Sequence, residues 1–349
     1  MLEAWREIAA IREQLRRLGA TRAHQDRVLR LWLHAMAQDA GRRRIEDFLP
    51  RTLREALPAS SAALAGLARI ASRHPAQDGS ERLLVALGDG RTIESVLLPA
   101  GGLCISTQVG CAVGCIFCMT GRGGLSRQLG SAEITAQLAL ARSLRPVRRV
   151  VFMGMGEPAH NLDAVLEAVE LLGTAGGIGH KSLVVSTVGD ARLFDRLLAL
   201  RAGDVRPALA ISLHSTQAAK RAELLPRAQQ IAPAELVESG ERYARAAGHP
   251  IQYQWTLIDG VNDGDDEVDA IAALLAGRHA MMNLIPYNAV DGLALRRPPA
   301  DRAAAIARAL NRRGVLTRLR RSAGQDVDAG CGQLRARSGG AVIPPHASR

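Results

Sequence analysis

Aromatic residues are scarce, 3% of the 349 residues. The hydrophobic share is nevertheless 47%. A large core can be buried, it has to be built mostly of Ala, Leu and Val, and wholesale disorder is excluded. Lysine is nearly absent: Lys181 and Lys220 are the only two, and arginine carries the positive charge. No apolar run reaches the ~18 residues that a membrane span needs. The opening stretch MLEAWREIAAIREQLRRLGA mixes acids with arginines and has no apolar signal-peptide core, which predicts a cytoplasmic chain with no membrane. Cysteine is sparse as well, and the count of five is odd, which argues against a disulfide framework.

What is there begins with a net charge of +11, and it is unevenly spread. Residues 1–60 carry +4, residues 61–295 carry −2, and residues 296–349 carry +9. A basic surface suits a polyanion such as nucleic acid or an anionic membrane.

Leu29, Trp32, Leu33 and Met36 fall at helical spacing, and residues 1–80 read as a helical module, with 51–80 helical again after Pro50. Residues 82–99 read as two strands joined at Gly88-Asp89-Gly90, so 81–102 is a connecting hairpin that carries Glu94. From Leu103 apolar strand-like runs alternate with helical segments: 103–107, 148–154, 182–187, 207–214, 251–258, 281–287 and 315–320 are the strands. About six β–α units in succession predict an α/β fold with a parallel sheet, either an open partial barrel or a doubly wound sheet. Function then gathers at the C-terminal ends of the strands. Residues 103–322 form this unit, and 323–349 form a loop and basic tail.

Four of the five cysteines lie within fifteen residues: Cys104, Cys111, Cys115 and Cys118. In Cys111-Ala-Val-Gly-Cys115-Ile-Phe-Cys118 three thiolates can converge on one metal centre. A structural zinc site takes four ligands, but the run stops at three and the nearest histidine, His160, is far downstream. Three thiolates on an iron–sulfur cubane leave one iron open to substrate, whereas electron-transfer clusters are closed by four. Iron–sulfur is the leading assignment, with zinc or simple burial as alternatives. Gly154-Met-Gly156-Glu157-Pro158-Ala159 imitates a dinucleotide fingerprint. Pro158 suits a turn better than close helix packing, and the strand before it does not open a βαβ unit, so that assignment is rejected. Cys331 stands between Gly330 and Gly332, which predicts an exposed, mobile thiol. Taken alone, Cys104 reads as a core cysteine, His214 as a satisfied core histidine, Asn288 as a turn residue and Glu94 as an exposed strand carboxylate.

The CxxxCxxC run together with LCISTQVGCAVGCIFC (103–118), GMGEPAHN (154–161), VSTVG (185–189), ISLH (211–214), DGVND (259–263), NLIPYN (283–288) and GQDVDAGCGQL (324–334) resembles the RlmN/Cfr family of radical S-adenosylmethionine (SAM) RNA adenine methyltransferases. The resemblance covers about Arg91 to Leu334, with a weaker echo in the N-terminal helices. It implies a radical SAM partial (β/α)6 barrel and a [4Fe–4S] cluster on Cys111, Cys115 and Cys118. SAM would be held by Gly156, Glu157, Ser186, Ser212, Leu213, His214 and Asn288. It further implies a two-SAM reaction. Cys331 is first methylated by thiolate displacement. A 5′-deoxyadenosyl radical then activates that methyl group for attack on an adenine carbon, which ordinary transfer cannot methylate because the carbon is not nucleophilic. Glu94 takes the ring proton, and Cys104 attacks Cys331 to release the product with a transient disulfide. The implied partners are ribosomal or transfer RNA and an electron donor such as a flavodoxin, with the chain a monomer. The family's usual product is 2-methyladenosine, and its Cfr branch modifies C8. The basic ends would grip RNA phosphates. The chain departs from the family pattern in a short segment between Glu94 and Cys104, in Gln325 where Asp is common, and in its N-terminal helices. A radical SAM enzyme with another substrate and a zinc-holding RNA-binding protein are the other classes to separate.

Overall fold

The computed structural model describes residues 5–290 and 292–335. The basic tail after Arg335 therefore lies outside the described residues. Helix α1 (Ile8–Arg17) turns Ile8, Ile11 and Leu15 to one buried face, the spacing of an amphipathic helix. Helix α2 (Arg22–Leu33) opens with a capping box: the Thr21 hydroxyl accepts from the His24 N–H, and the His24 ring accepts from the Thr21 N–H. It stops at Leu33, and Ala35 turns the chain at φ +53°. Met36, expected on the helix, lies beyond it and is 51% exposed. Helix α3 is Arg51–Gly66.

The helical expectation for 51–80 fails past Gly66. Ala68–Pro75 is a strand, β1, paired antiparallel with β2 (Glu81–Leu87), which in turn pairs antiparallel with β3 (Thr92–Leu98). A bulge between Ile70 and Ser72 interrupts β1, so no clean two-residue period marks it in the sequence.

The remaining elements alternate as expected, apart from the short strands β5 and β6, which the sequence does not mark. They are β4 (Gly102–Cys104), the short strands β5 (Gln108–Gly110) and β6 (Leu125–Gln128), then α4 (Ser131–Arg142), β7 (Arg149–Phe152), α5 (Leu162–Gly173), β8 (Leu183–Thr187), α6 (Ala191–Leu198), β9 (Ala208–Ser212), α7 (Ala218–Leu224), α8 (Pro233–Ala247), β10 (Ile251–Leu257), α9 (Asp265–Leu275), β11 (Ala280–Pro286), α10 (Ala300–Arg312) and β12 (Thr317–Leu319). The main sheet runs β1-β2-β3-β4-β7-β8-β9-β10-β11-β12. From β4 to β12 every neighbour is parallel. This is the expected α/β architecture: an open partial barrel with the hairpin strands continuing its first edge.

Helix α4 is buried nearly all round, because the N-terminal helices cover the face that the sheet does not. Ala132 donates its N–H to the Arg6 carbonyl at 2.9 Å, and the Ser131 hydroxyl accepts from the Ile8 N–H at 2.8 Å. Ala and Ser on α4 permit that approach. One core runs from Ile8 through the strands to Leu334. Among the described residues no helix is long and apolar enough to cross a membrane.

Candidate active site

The C-terminal ends of β7 to β11 meet the loop after β5 in one pocket. Cys111, Cys115 and Cys118 line it with Gly156, Glu157, Ser186, Ser212, His214 and Cys331. The strands β5 and β6 close the base of the cysteine loop like a clasp. Gly110 there has φ +82°, and a Cβ on it would lie 2.0 Å from the Gly124 carbonyl oxygen, so only glycine fits.

The GMGEP turn is held by the IST segment after β4. A Cβ on Gly154 would sit 2.7 Å from the Ile105 carbonyl oxygen, and Gly156 takes φ +107°. The Ser106 hydroxyl donates to the Glu94 carbonyl at 2.6 Å and accepts from the Met155 N–H at 2.8 Å. Both Glu157 oxygens accept backbone N–H groups, from Ala159 and from Val188, each at 3.0 Å. Glu157 therefore ties the ends of β7 and β8 while lining the pocket. Burial pushes its carboxyl up, and the bonds from Thr187, Ala159 and Val188 pull it back.

His214 sits in left-handed backbone at φ +59°, unusual for a residue with a side chain. Its Nδ1 accepts the Thr256 N–H at 2.9 Å, and the Phe117 ring packs edge-on at 4.8 Å. Burial, then the nearby Arg221 charge, push the imidazole down to about 3. It is a neutral ring, braced on one side and open to the pocket. Asn262 of the DGVND motif fixes this turn: its amide donates to the His214 and Thr256 carbonyls at 2.7 and 2.8 Å, and its oxygen accepts from the Ile258 N–H. Asn262, Arg221, Tyr287, Gln254 and Thr256 are site residues that sequence reasoning missed. Asn262 and Tyr287 stand inside motifs already marked. Buried Arg221 donates to the Val188 and Ser212 carbonyls.

All five cysteines are free thiols. Burial pushes Cys111 up to about 12 and Cys115 well up, with the neighbouring thiols adding to the effect at Cys115. Cys331 keeps surface open to solvent, as expected. Its sulfur is nevertheless crowded by protein: that crowding raises the thiol, while a hydrogen bond with Ser322 and the Arg320 charge lower it. Cys104 is buried on β4 and pushed to about 12 by burial first, then by the proximity of Cys331. The two thiols thus feel each other.

Four predicted site residues stand off the pocket wall. Besides Cys104, Leu213 is a core side chain, and only its neighbours Ser212 and His214 face the cavity. Asn288 reaches instead for the segment that carries Cys331, donating to the Ser322 hydroxyl at 2.8 Å and the Cys331 carbonyl at 2.9 Å. Glu94, read as exposed, is buried: β3 is covered on both faces, and Arg82 two residues along the neighbouring strand supplies its counter-charge.

These residues fit the implied cofactors. The three thiols line one wall, and a cubane takes each at a different iron, whereas zinc needs four donors on one point. The Asn288 side-chain oxygen is buried without a partner, an acceptor suited to an incoming donor.

An open partial barrel with three thiols at the mouth of its first parallel strand defines a radical SAM protein. Residues 105–275 match the model of the radical SAM superfamily, and the chain belongs to it. Within it, the chain belongs with a family of bacterial relatives. It is 70% identical to a probable RNA methyltransferase of Methylibium petroleiphilum, over 96% of this chain and 94% of that one. It is 67% identical to a probable RNA methyltransferase of Azoarcus sp., over 93% of each. Among solved structures it matches a radical SAM methyltransferase from Sphaerobacter thermophilus with a TM-score of 0.81 and 33% identity, covering 95% of this chain and 98% of that one.

Proposed function

We propose that this chain methylates an adenine ring carbon of ribosomal or transfer RNA, C2 in preference to C8, with Cys331 as methyl carrier. The observation that carries this reading is the meeting of Cys331 with the three thiols of the 111–118 loop in one pocket, with Cys104 in electrostatic reach. A small-molecule radical enzyme has no use for that second pair of cysteines. The relatives' names support RNA as the substrate.

Cys111, Cys115 and Cys118 would hold a [4Fe–4S] cluster, Gly156, Glu157, Ser186, Ser212 and His214 would surround SAM, and Asn288, off the pocket wall, has only its side-chain oxygen to offer it. Bound there, the pair supplies a one-electron cleavage that yields a 5′-deoxyadenosyl radical. The remaining work belongs to side chains. The Cys331 sulfur accepts a methyl group and presents it to the base; burial raises this thiol on balance, and Ser322 and Arg320 offset part of the cost of forming the thiolate. Glu94 takes the ring proton, and the adduct's unpaired electron would pass back to the metal centre. The Cys104 sulfur then attacks the Cys331 sulfur: the S–S bond forms, the S–CH2 bond breaks, and the departing carbon takes its electron pair and a proton to become the methyl group of the RNA. The disulfide is left to be reduced, with an electron donor such as a flavodoxin supplying reducing electrons.

The test is mass spectrometry of nucleosides from RNA incubated with reconstituted enzyme, SAM and reductant. Methyladenosine is expected with the wild type and not with Cys331→Ala. In Cys104→Ala a covalent protein–RNA adduct should accumulate. Wild type that yields no methyladenosine overturns the reading.

A further inference from the structure

The loop that carries Cys331 is held from two sides. On the barrel side the Met119 N–H donates to the Gly332 carbonyl at 2.7 Å, the Thr120 hydroxyl to the Leu334 carbonyl at 2.6 Å, and Asn288 to the Cys331 carbonyl. On the hairpin side, the turn between β1 and β2 takes the start of the loop. The Gly324 N–H donates to Asp78 and the Gln77 N–H to Asp326, each at 3.0 Å.

The deeper hairpin bonds converge on one ion pair. The Arg82 guanidinium donates through Nε to the Val327 carbonyl at 2.7 Å and through Nη1 to one Glu94 oxygen. The other Glu94 oxygen accepts the Arg335 N–H at 2.8 Å. The two side chains are 8% and 1% exposed. Val327 lies four residues before Cys331 and Arg335 four after it. Both shoulders of the arc that presents the thiol therefore rest on the same buried pair.

We propose that Arg82 is a positioning residue that joins Glu94 and the Cys331 loop into one unit, so that the proton acceptor is in place only while the methyl carrier is seated. The inference rests on the methyl-transfer reading above and extends it. A guanidinium can serve both acceptors at once because its donors form a fixed fork. Removing it leaves Glu94 buried without its counter-charge and Val327 without a donor. Neutralising Glu94 weakens both shoulders together, the Arg82 pair and the Arg335 N–H bond. The acceptance of a proton by Glu94 and the release of the loop toward Cys104 are thereby one event.

Hydrogen exchange of the full-length protein, with mass-spectrometric readout of 323–335, tests this without RNA or cofactor. Arg82→Met and Glu94→Gln should each speed exchange there by at least about tenfold, and the double variant no further, since the two residues act as one unit. Exchange in β7 to β10 should stay at the wild-type rate, which separates a freed loop from an unfolded chain. Arg82→Lys, which keeps the charge but not the fork, should fall between the two. Unchanged loop exchange in Arg82→Met, or additive effects in the double variant, overturns the proposal. In turnover, Arg82→Met should lower kcat at constant KM for RNA. A raised KM at constant kcat would make Arg82 an RNA-binding residue and also overturns it. If wild type methylates no RNA while the loop still responds, the methyl-transfer reading fails and the exchange result stands on its own. If wild type methylates RNA while the loop does not respond, this inference alone fails.

Discussion

His214 combines a strained backbone with a buried, braced ring. Its backbone is left-handed, its Nδ1 is spent on the Thr256 N–H, and its ring stays neutral down to about 3. The unfolded chain takes up a proton near the ordinary histidine value of ~6.5, and the native site does not. Between those values the unfolded state binds more protons, so stability falls as pH falls. The wild type should have this stability in full above pH 6.5 and lose about 2 kcal/mol of it by pH 5. His214→Gln should be spared that share, so urea denaturation of both proteins at pH 7.5 and pH 5 should show their gap narrowing in acid. A constant gap would refute the assignment of a neutral buried ring. The ISLH motif taken alone reads as a satisfied core histidine, which agrees with the burial and the Thr256 bond; the left-handed backbone was not legible there. The meeting of Cys111, Cys115 and Cys118 in one pocket was legible, because three thiols at that spacing can converge. The burial of Glu94 was not, because its partner lies on the next strand, in a diagonal pairing that depends on register.

The elements that could be read from the sequence are those whose pattern is set by burial on both sides. The parallel strands β7 to β11 and the helices between them appear within a few residues of their expected bounds. The strands that escaped, β1, β5 and β6, are interrupted by a bulge or only three to four residues long. Yet β5 and β6 are the clasp of the cysteine loop. Gly110→Ala forces a methyl group onto the Gly124 carbonyl, a strain of about 1–3 kcal/mol, and should open that clasp. Iron bound per chain after anaerobic reconstitution should drop to well under half of wild type. Gly123→Ala, in the same loop but with open space around its Cβ, should bind iron normally. Equal loading of the two variants would show that the clasp does not shape the site.

At the scale of the molecule, the near-neutral middle is the barrel, and the positive charge lies at the chain's two ends. Arg42, Arg43 and Arg44 are exposed between α2 and α3, with Arg43 leaning over Phe48. If these arginines meet RNA phosphates, replacing all three with alanine should reduce the slope of log affinity against log salt by up to about three, roughly one for each phosphate no longer neutralised. Filter binding or fluorescence anisotropy across a salt series measures that slope, and an unaltered slope removes this face from the RNA interface. The barrel itself was foreseeable from the alternation of its segments. The packing of the N-terminal helices directly onto α4, in one shared core, was not, because α4 shows no polar face to reveal a second neighbour.

The sheet never closes: β12 pairs with β11 on one side, and the loop bearing Cys331 crosses from there to the hairpin at the far edge. That order matters during synthesis. More than two hundred residues separate Cys118 from Cys331, at least about ten seconds of translation. The three thiols thus leave the ribosome well before the segment that caps them. A metal centre held by these thiols would be open to delivery before the Cys331 segment is made.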